Sequence, residues 1–209
     1  MGGLWLVSYT PNHEQMFDTG AVELYTDDMV EQRGVTTTVL GVDPGYAILG
    51  WGVIEYAASR YKLVGCGAIE TGSEVPLPER LKQIYADLSK IIGDYRPDVC
   101  AVEELFWGSN HKTAIKVGEA RGAAVLACAN AGLKVFDYTP LQIKQALTGY
   151  GRADKHQIQM MVMQILGLES VPKPDDAADA VAAAICHASS SGYIDKIARY
   201  NAEATAIEK

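Results

Sequence analysis

The sequence predicts an α/β domain built on a mixed five-stranded sheet, three antiparallel strands followed by two parallel ones, flanked by helices. Three observations carry that reading. Three runs rich in β-branched residues follow one another after Thr36 with only short Gly- or Ser-containing breaks, as in a meander. Strand and helix patterns then alternate. The resulting order βββαβαβααα brings a late strand back beside the first one in parallel.

Thr36–Asp43 reads as the first strand, and Leu49–Ala57 and Tyr61–Thr71 as the next two. Pro76 and Pro78 open a helix whose apolar residues Leu81, Ile84, Tyr85, Leu88, Ile91, Ile92 and Tyr95 recur at helical spacing, and Pro97 stops it. Val99–Leu105 is a short buried strand. A helix rich in Ala and Gly spans Thr113–Ala131, and Lys134–Tyr138 is the fifth strand. Pro140 starts a short helix, Tyr150-Gly151 breaks it, and another helix runs from Asp154 to Leu166. The segment VPKPDDAADAVAAAICHA contains the last helix, entered after Pro174.

The 209 residues suffice for one sizeable core. Residues 1–34 stand apart as an acidic appendage, flexible or not native, with LWLV at 4–7 able to pair or pack. Residues 35–190 form the domain, and 191–209 a polar tail. No apolar run approaches the ~20 residues of a membrane span, and the chain start lacks the pattern of a secretory signal; the expectation is a cytoplasmic protein. Cys66, Cys100, Cys128 and Cys186 form no CxxC pair, so zinc-ribbon and dithiol redox motifs are not indicated; buried free thiols are expected.

The net charge is −8, of which residues 1–34 supply −5 and the remainder −3. That balance argues against a nucleic-acid binder, but its distribution does not. Between Glu104 and Met160 there are seven Lys/Arg against four acids, so a polyanion site belongs there. Acids gathered around metal also lower the net charge without repelling a substrate once metal is bound.

Such acids are present. Asp43 ends the first strand at an Asp-Pro-Gly turn, and Glu103 lies near the end of the fourth, so parallel neighbours would bring both to the ligand-binding edge of the sheet. Asp176 and Asp179 are three apart in the first turns of the last helix and share a face. Asp175 is an i, i+4 neighbour of Asp179 and could take that place; Asp175 and Asp176 could equally cap the helix. Small residues after Asp176 let this helix press closely on a sheet. Four converging carboxylates repel one another unless cations compensate. Oxygen-only ligands suit Mg²⁺ or Mn²⁺, and two such ions can clamp the attacking and leaving oxygens of a phosphodiester.

The stretches LGVDPGYAILGWGVIE, RLKQIYADLSKII, PDVCAVEELFWGSNHKTAIKVGEARG, VFDYTPLQIKQALTGYGRADKHQIQMMV and DDAADAVAAAICH are collinear and cover nearly all of the chain beyond the appendage. Through them the chain resembles the RuvC family of crossover junction endodeoxyribonucleases, which cut Holliday junctions. The resemblance implies an RNase H-like fold, a homodimer with two active sites, and a four-acid metal site. At the matching positions those acids are Asp43, Glu103, Asp176 and Asp179, the same four found from the strand and helix ends. It implies two Mg²⁺ per active site, with Mn²⁺ able to substitute, and catalytic, phosphate-contacting roles for Lys144 and Lys155. Phe106 matches the family's aromatic wedge near the junction centre; packing in the core is the other reading. Lys112, Lys116 and Arg121 are DNA-backbone contacts or ordinary helix surface. The partners implied are four-way junction DNA, a second copy of the chain and a branch-migration helicase complex, with no membrane. The helix Thr113–Ala131, with small residues Gly118, Ala120, Gly122, Ala123 and Ala124, is either the dimer contact or an ordinary buried helix. An actin-like phosphotransferase also opens with a βββ meander, but this chain is short for a duplicated domain and lacks a second phosphate loop. A junction-binding protein that does not cut would have no use for four convergent acids.

Overall fold

A computed structural model describes residues 4–7, 36–105 and 111–190 of the chain. Its strands are β1 (Leu4–Val7), β2 (Thr37–Asp43), β3 (Ile48–Ala57), β4 (Arg60–Glu70), β5 (Val99–Glu103) and β6 (Lys134–Tyr138). Its helices are α1 (Leu77–Tyr95), α2 (His111–Asn130), α3 (Pro140–Thr148), α4 (Lys155–Leu166) and α5 (175–190). The strands form one sheet in the order β1-β4-β3-β2-β5-β6. β2, β3 and β4 are an antiparallel meander, and β5 and β6 add in parallel beside β2. The mixed five-stranded sheet expected from the sequence is therefore present. A sixth strand extends it: Leu4–Val7 pairs antiparallel with β4, Trp5 opposite Ala68. The other expectations for the appendage and the polar tail fall on 8–35 and 191–209, outside the described residues.

The period of two along the strands sorts the core into two layers. Leu40, Val42, Cys100 and Val102 face α1 and α2, joining Ile84, Leu88, Ala120 and Ala124. Val39 and Ala101 face the other way, onto the alanine-rich α5 and onto Ile158 and Val162 of α4. Continuing that alternation by two and four residues puts Asp43 and Glu103 on the α5 side.

Three glycines set how close α5 comes. A Cβ at Gly41 would stand 1.9 Å from the carbonyl oxygen of Ala180, one at Gly50 would stand 1.9 Å from that of Asp176, and one at Gly52 2.3 Å from a Val181 methyl. Backbone thus meets backbone across β2, β3 and the first turns of α5. Gly50 is also the antiparallel partner of Asp43, so this contact places the start of α5 beside the strand end that carries Asp43. All four cysteines are buried free thiols, as expected.

Candidate active site

Asp43 and Glu103 close β2 and β5. The parallel register pairs Val42 with Val102, and each acid is the next residue of its strand. After Asp43 the chain turns through Pro44 and Gly45. A Cβ at Gly45 would lie 2.0 Å from the Ile48 carbonyl oxygen, so the tightness of the turn requires glycine there. Asp176 and Asp179 reach the same edge from α5, Asp176 through its seat on Gly50.

The proximity of these groups shows in their acidity. Burial, then the charges of Glu103, Asp179 and Asp176, push the Asp43 carboxyl from 3.8 up to about 8, against a smaller opposing pull from Lys155. Burial and the charge of Asp179 push Glu103 up to about 7, with Lys144 and Lys155 pulling it back. Asp179 is also raised, chiefly by burial, although the Lys155 ammonium bonds to it. All four predicted acids are thus electrostatically linked at one edge.

Lys155 Nζ lies 2.9 Å from Asp179 Oδ2 and 3.8 Å from Asp175 Oδ2. Asp179, by bonding to the ammonium, raises the Lys155 pKa. Asp175 also pairs with Lys173, 2.8 Å away, so its ion-pair partners are the two lysines. Lys144 makes no ion pair among the described residues. Glu103, Lys144, Lys155 and Asp179 line a pocket of about 180 Å³ whose remaining wall is apolar: Pro140, Ile143, Ile158 and Ala182. That apolar wall was not foreseen. Pro140 and Ile143 lie on α3, Ile158 on α4 and Ala182 on α5, and which face of each turns to the site depends on how the three helices pack.

The other predicted contacts separate. Lys116 stands over the Tyr46 ring, 5.5 Å from its centroid, just beyond the Asp43 turn. Arg121 is ion-paired with Asp137 of β6, which ties α2 to the sheet. Phe106 lies outside the described residues, as does the Lys112 side chain. On α2, Ala120 and Ala124 are fully buried against the sheet and α1; they belong to the core and form no surface contact. The exposed stripe is Ile115, Glu119, Gly122 and Leu126, with Ile115 and Leu126 more than half exposed.

An oxygen-only donor set with carboxyls held above their ordinary range suits a hard divalent cation, which would relieve the repulsion that raises them. Among the described residues no three His, Cys, Asp or Glu side chains are drawn together around a single point. The ammonium of Lys155 supplies part of the compensation instead.

A βββαβαβ sheet with acids at the ends of two adjacent parallel strands, packed under an alanine-rich helix that carries two more, has the architecture of the RNase H-like class. Residues 39–187 match the family model described as crossover junction endodeoxyribonuclease RuvC. A crossover junction endodeoxyribonuclease RuvC of Alkaliphilus oremlandii is 56% identical over 157 residues, which are 75% of this chain and 96% of the relative. The fold matches the RuvC structure of Thermus thermophilus with a TM-score of 0.70 at 38% identity, covering 75% of this chain and 96% of that one. It matches equally, at 35% identity, a structure of T. thermophilus RuvC in complex with Holliday junction substrate, with the same coverage. The chain belongs to the RuvC family of crossover junction endodeoxyribonucleases, and the family's nucleases are metal-dependent.

Proposed function

We propose that this chain resolves four-way DNA junctions, cutting two opposed strands symmetrically to leave 5′-phosphate and 3′-hydroxyl ends. The observation that carries the proposal is the convergence of Asp43, Glu103, Asp176 and Asp179 on one sheet edge beside Lys144 and Lys155. Those four carboxylates would hold Mg²⁺, two ions per site, with Mn²⁺ able to substitute. When bound, the ions supply Lewis-acid charge and a water acidic enough to act near neutral pH. The chain does the rest. Glu103 and Asp43 fix the strand-side ligands on adjacent rigid strands, while α5 brings the other two from above. Lys144 and Lys155 place ammonium groups at the pocket, where they would donate to the non-bridging phosphate oxygens as negative charge grows there. The apolar wall excludes water behind the phosphate, which strengthens each of these interactions.

Two opposed cuts call for two sites related by symmetry, and a four-way junction has near two-fold symmetry itself. The exposed α2 stripe of Ile115, Glu119, Gly122 and Leu126 supports a homodimer contact. A Cβ at Gly122 would meet nothing within 4 Å in the single chain, which leaves room for a second helix to approach closely. Leu126→Asp is expected to turn a dimer into a monomer by light scattering and to replace paired cuts with isolated nicks. A dimer that survives Leu126→Asp would place the contact elsewhere. A branch-migration helicase as partner and a cytoplasmic location complete the reading; buried free thiols fit a reducing compartment.

The functional test uses a synthetic four-way junction and a matched linear duplex, with Mg²⁺ or with EDTA. Paired nicks on the junction alone, absent with EDTA, are expected. Binding without cutting under both Mg²⁺ and Mn²⁺ would leave a junction-binding protein instead.

A further inference from the structure

The connection between α3 and α4 is built more firmly than a link between helices requires. Gly149, at φ +78°, caps α3 in the left-handed region. The Thr148 hydroxyl lies 2.7 Å from the Lys144 carbonyl and 2.8 Å from that of Tyr150, and accepts the Tyr150 N–H at 3.4 Å. Gly151 is pressed onto α3, where a Cβ would stand 2.1 Å from Leu141 Cδ1 and 3.7 Å from Gln145 Cγ. The chain therefore doubles back along α3 towards its first turn and reaches Asp154, the N-cap of α4, one residue before Lys155. Capping boxes close the starts of both helices, Thr139 with Gln142 and Asp154 with Gln157.

This strap and the first turn of α3 leave three side chains exposed. Leu141 is 54% exposed and Tyr150 46%. Arg152 is exposed and makes no ion pair among the described residues. A single exposed apolar side chain is ordinary. Here two flank one glycine, with a cation next to it, at the start of α3 and in the connection that joins it to α4, the two helices that carry Lys144 and Lys155. An apolar surface for a base beside a cation for a phosphate is the composition that receives a single-stranded nucleotide.

We infer that Leu141, Tyr150 and Arg152 form a platform for one unstacked nucleotide next to the phosphate being cut, with Tyr150 against its base and Arg152 at a neighbouring phosphate. The inference rests on the nuclease reading above and deepens it. It separates two kinds of work on one helix pair: Lys144 and Lys155 face the reacting phosphate, while the strap sets which nucleotide lies beside it.

The test uses the full chain and junctions carrying 2-aminopurine at one or other nucleotide flanking the cut. Binding is followed in EDTA and cleavage in Mg²⁺. Tyr150→Ala is expected to weaken junction binding about tenfold, as loss of one stacked base does, to abolish the fluorescence change at one flanking position, and to raise KM far more than it lowers kcat. Tyr150→Phe keeps the ring and should keep all three properties. Arg152→Gln should preserve the fluorescence change while reducing the salt dependence of binding by about one phosphate contact. Wild-type cleavage together with an unchanged Kd and fluorescence in Tyr150→Ala would overturn the platform and leave the nuclease reading standing. A wild-type chain that neither binds nor cuts junctions would remove both.

Discussion

Asp43→Asn is expected to abolish cleavage and, in metal-free buffer at high pH, to make the protein more stable than wild type. The two effects share one cause. In the folded chain burial and three neighbouring carboxylates carry Asp43 from 3.8 to about 8, while burial and the charge of Asp179 carry Glu103 from 4.5 to about 7. Between those values the folded state holds protons that the unfolded chain has already released. Stability of the metal-free protein therefore falls as pH rises from about 4 to about 8 and levels off above. At ~1.4 kcal/mol per pH unit, a rise of about four units makes the ionised Asp43 cost on the order of 6 kcal/mol at pH 8. The isosteric amide removes that charge and its repulsion, so the melting temperature in EDTA should rise by roughly 5 °C or more at pH 8 and by little near pH 4. Mg²⁺ should stabilise wild type by mass action, more strongly at high pH where the carboxyls release their protons, and should do much less for the variant. Cleavage should fall by about three powers of ten or more, since the lost ligand serves charge stabilisation worth several kcal/mol. Melting curves across pH, with and without Mg²⁺, decide the matter. Equal curves for the two proteins at pH 8 would mean that Asp43 is not the strained carboxylate of the site.

The second large effect is expected from a single methyl group far simpler than any catalytic side chain. Gly50→Ala places a Cβ 1.9 Å from the Asp176 carbonyl oxygen, whereas real Cβ contacts essentially never fall below 3.0 Å. The obstacle is backbone, so no rotamer change relieves it. α5 must retreat by about 1 Å at its first turn or the sheet must bend. Overpacking of this kind costs about 1–3 kcal/mol, and a displacement of ~1 Å at reacting groups can cost on the order of 10²-fold in rate. Gly41→Ala should act in the same way one turn further along, against Ala180. The contrast is Gly93 in α1, where a Cβ meets nothing within 4 Å: Gly93→Ala should stabilise by ~0.5–1 kcal/mol through helix propensity and leave cleavage alone. Denaturant melts and single-turnover cleavage on the three variants distinguish these outcomes. A fully active, undiminished Gly50→Ala protein would show that α5 does not need its seat on β3 to bring Asp176 into place.

How much of this was legible in the chain differs from element to element. The three-strand meander, the helix after Pro76 and the two later strands are local patterns, so periodicity and breakers expose them. Their ends shift by a residue or two: the fifth sheet strand in chain order stops at Glu103 rather than Leu105, the Glu104 N–H making its last bond across to the Tyr138 carbonyl. The four acids were visible because two end strands and two lie in the first turns of a helix. The pairing of Leu4–Val7 with β4 joins segments some sixty residues apart, and a run of four residues carries no period that could announce it. The small residues of α2 pointed to a close contact without saying which. Only packing shows that Ala120 and Ala124 lie against the sheet and α1 while Ile115, Gly122 and Leu126 face outward.

By itself the sequence determined the order of elements, the placement of carboxylates at two strand ends and one helix start, and, through its collinear motifs, the family. Each of these depends on residue type and short spacing. Tertiary structure alone decided which strand faces meet α5, how far burial and mutual repulsion raise Asp43 and Glu103, that Lys155 takes Asp179 as its partner, and that the α3–α4 strap leaves Tyr150 and Arg152 exposed. Those properties depend on distances between groups remote in the chain and on the water excluded between them, and neither quantity exists until the sheet and its helices have closed.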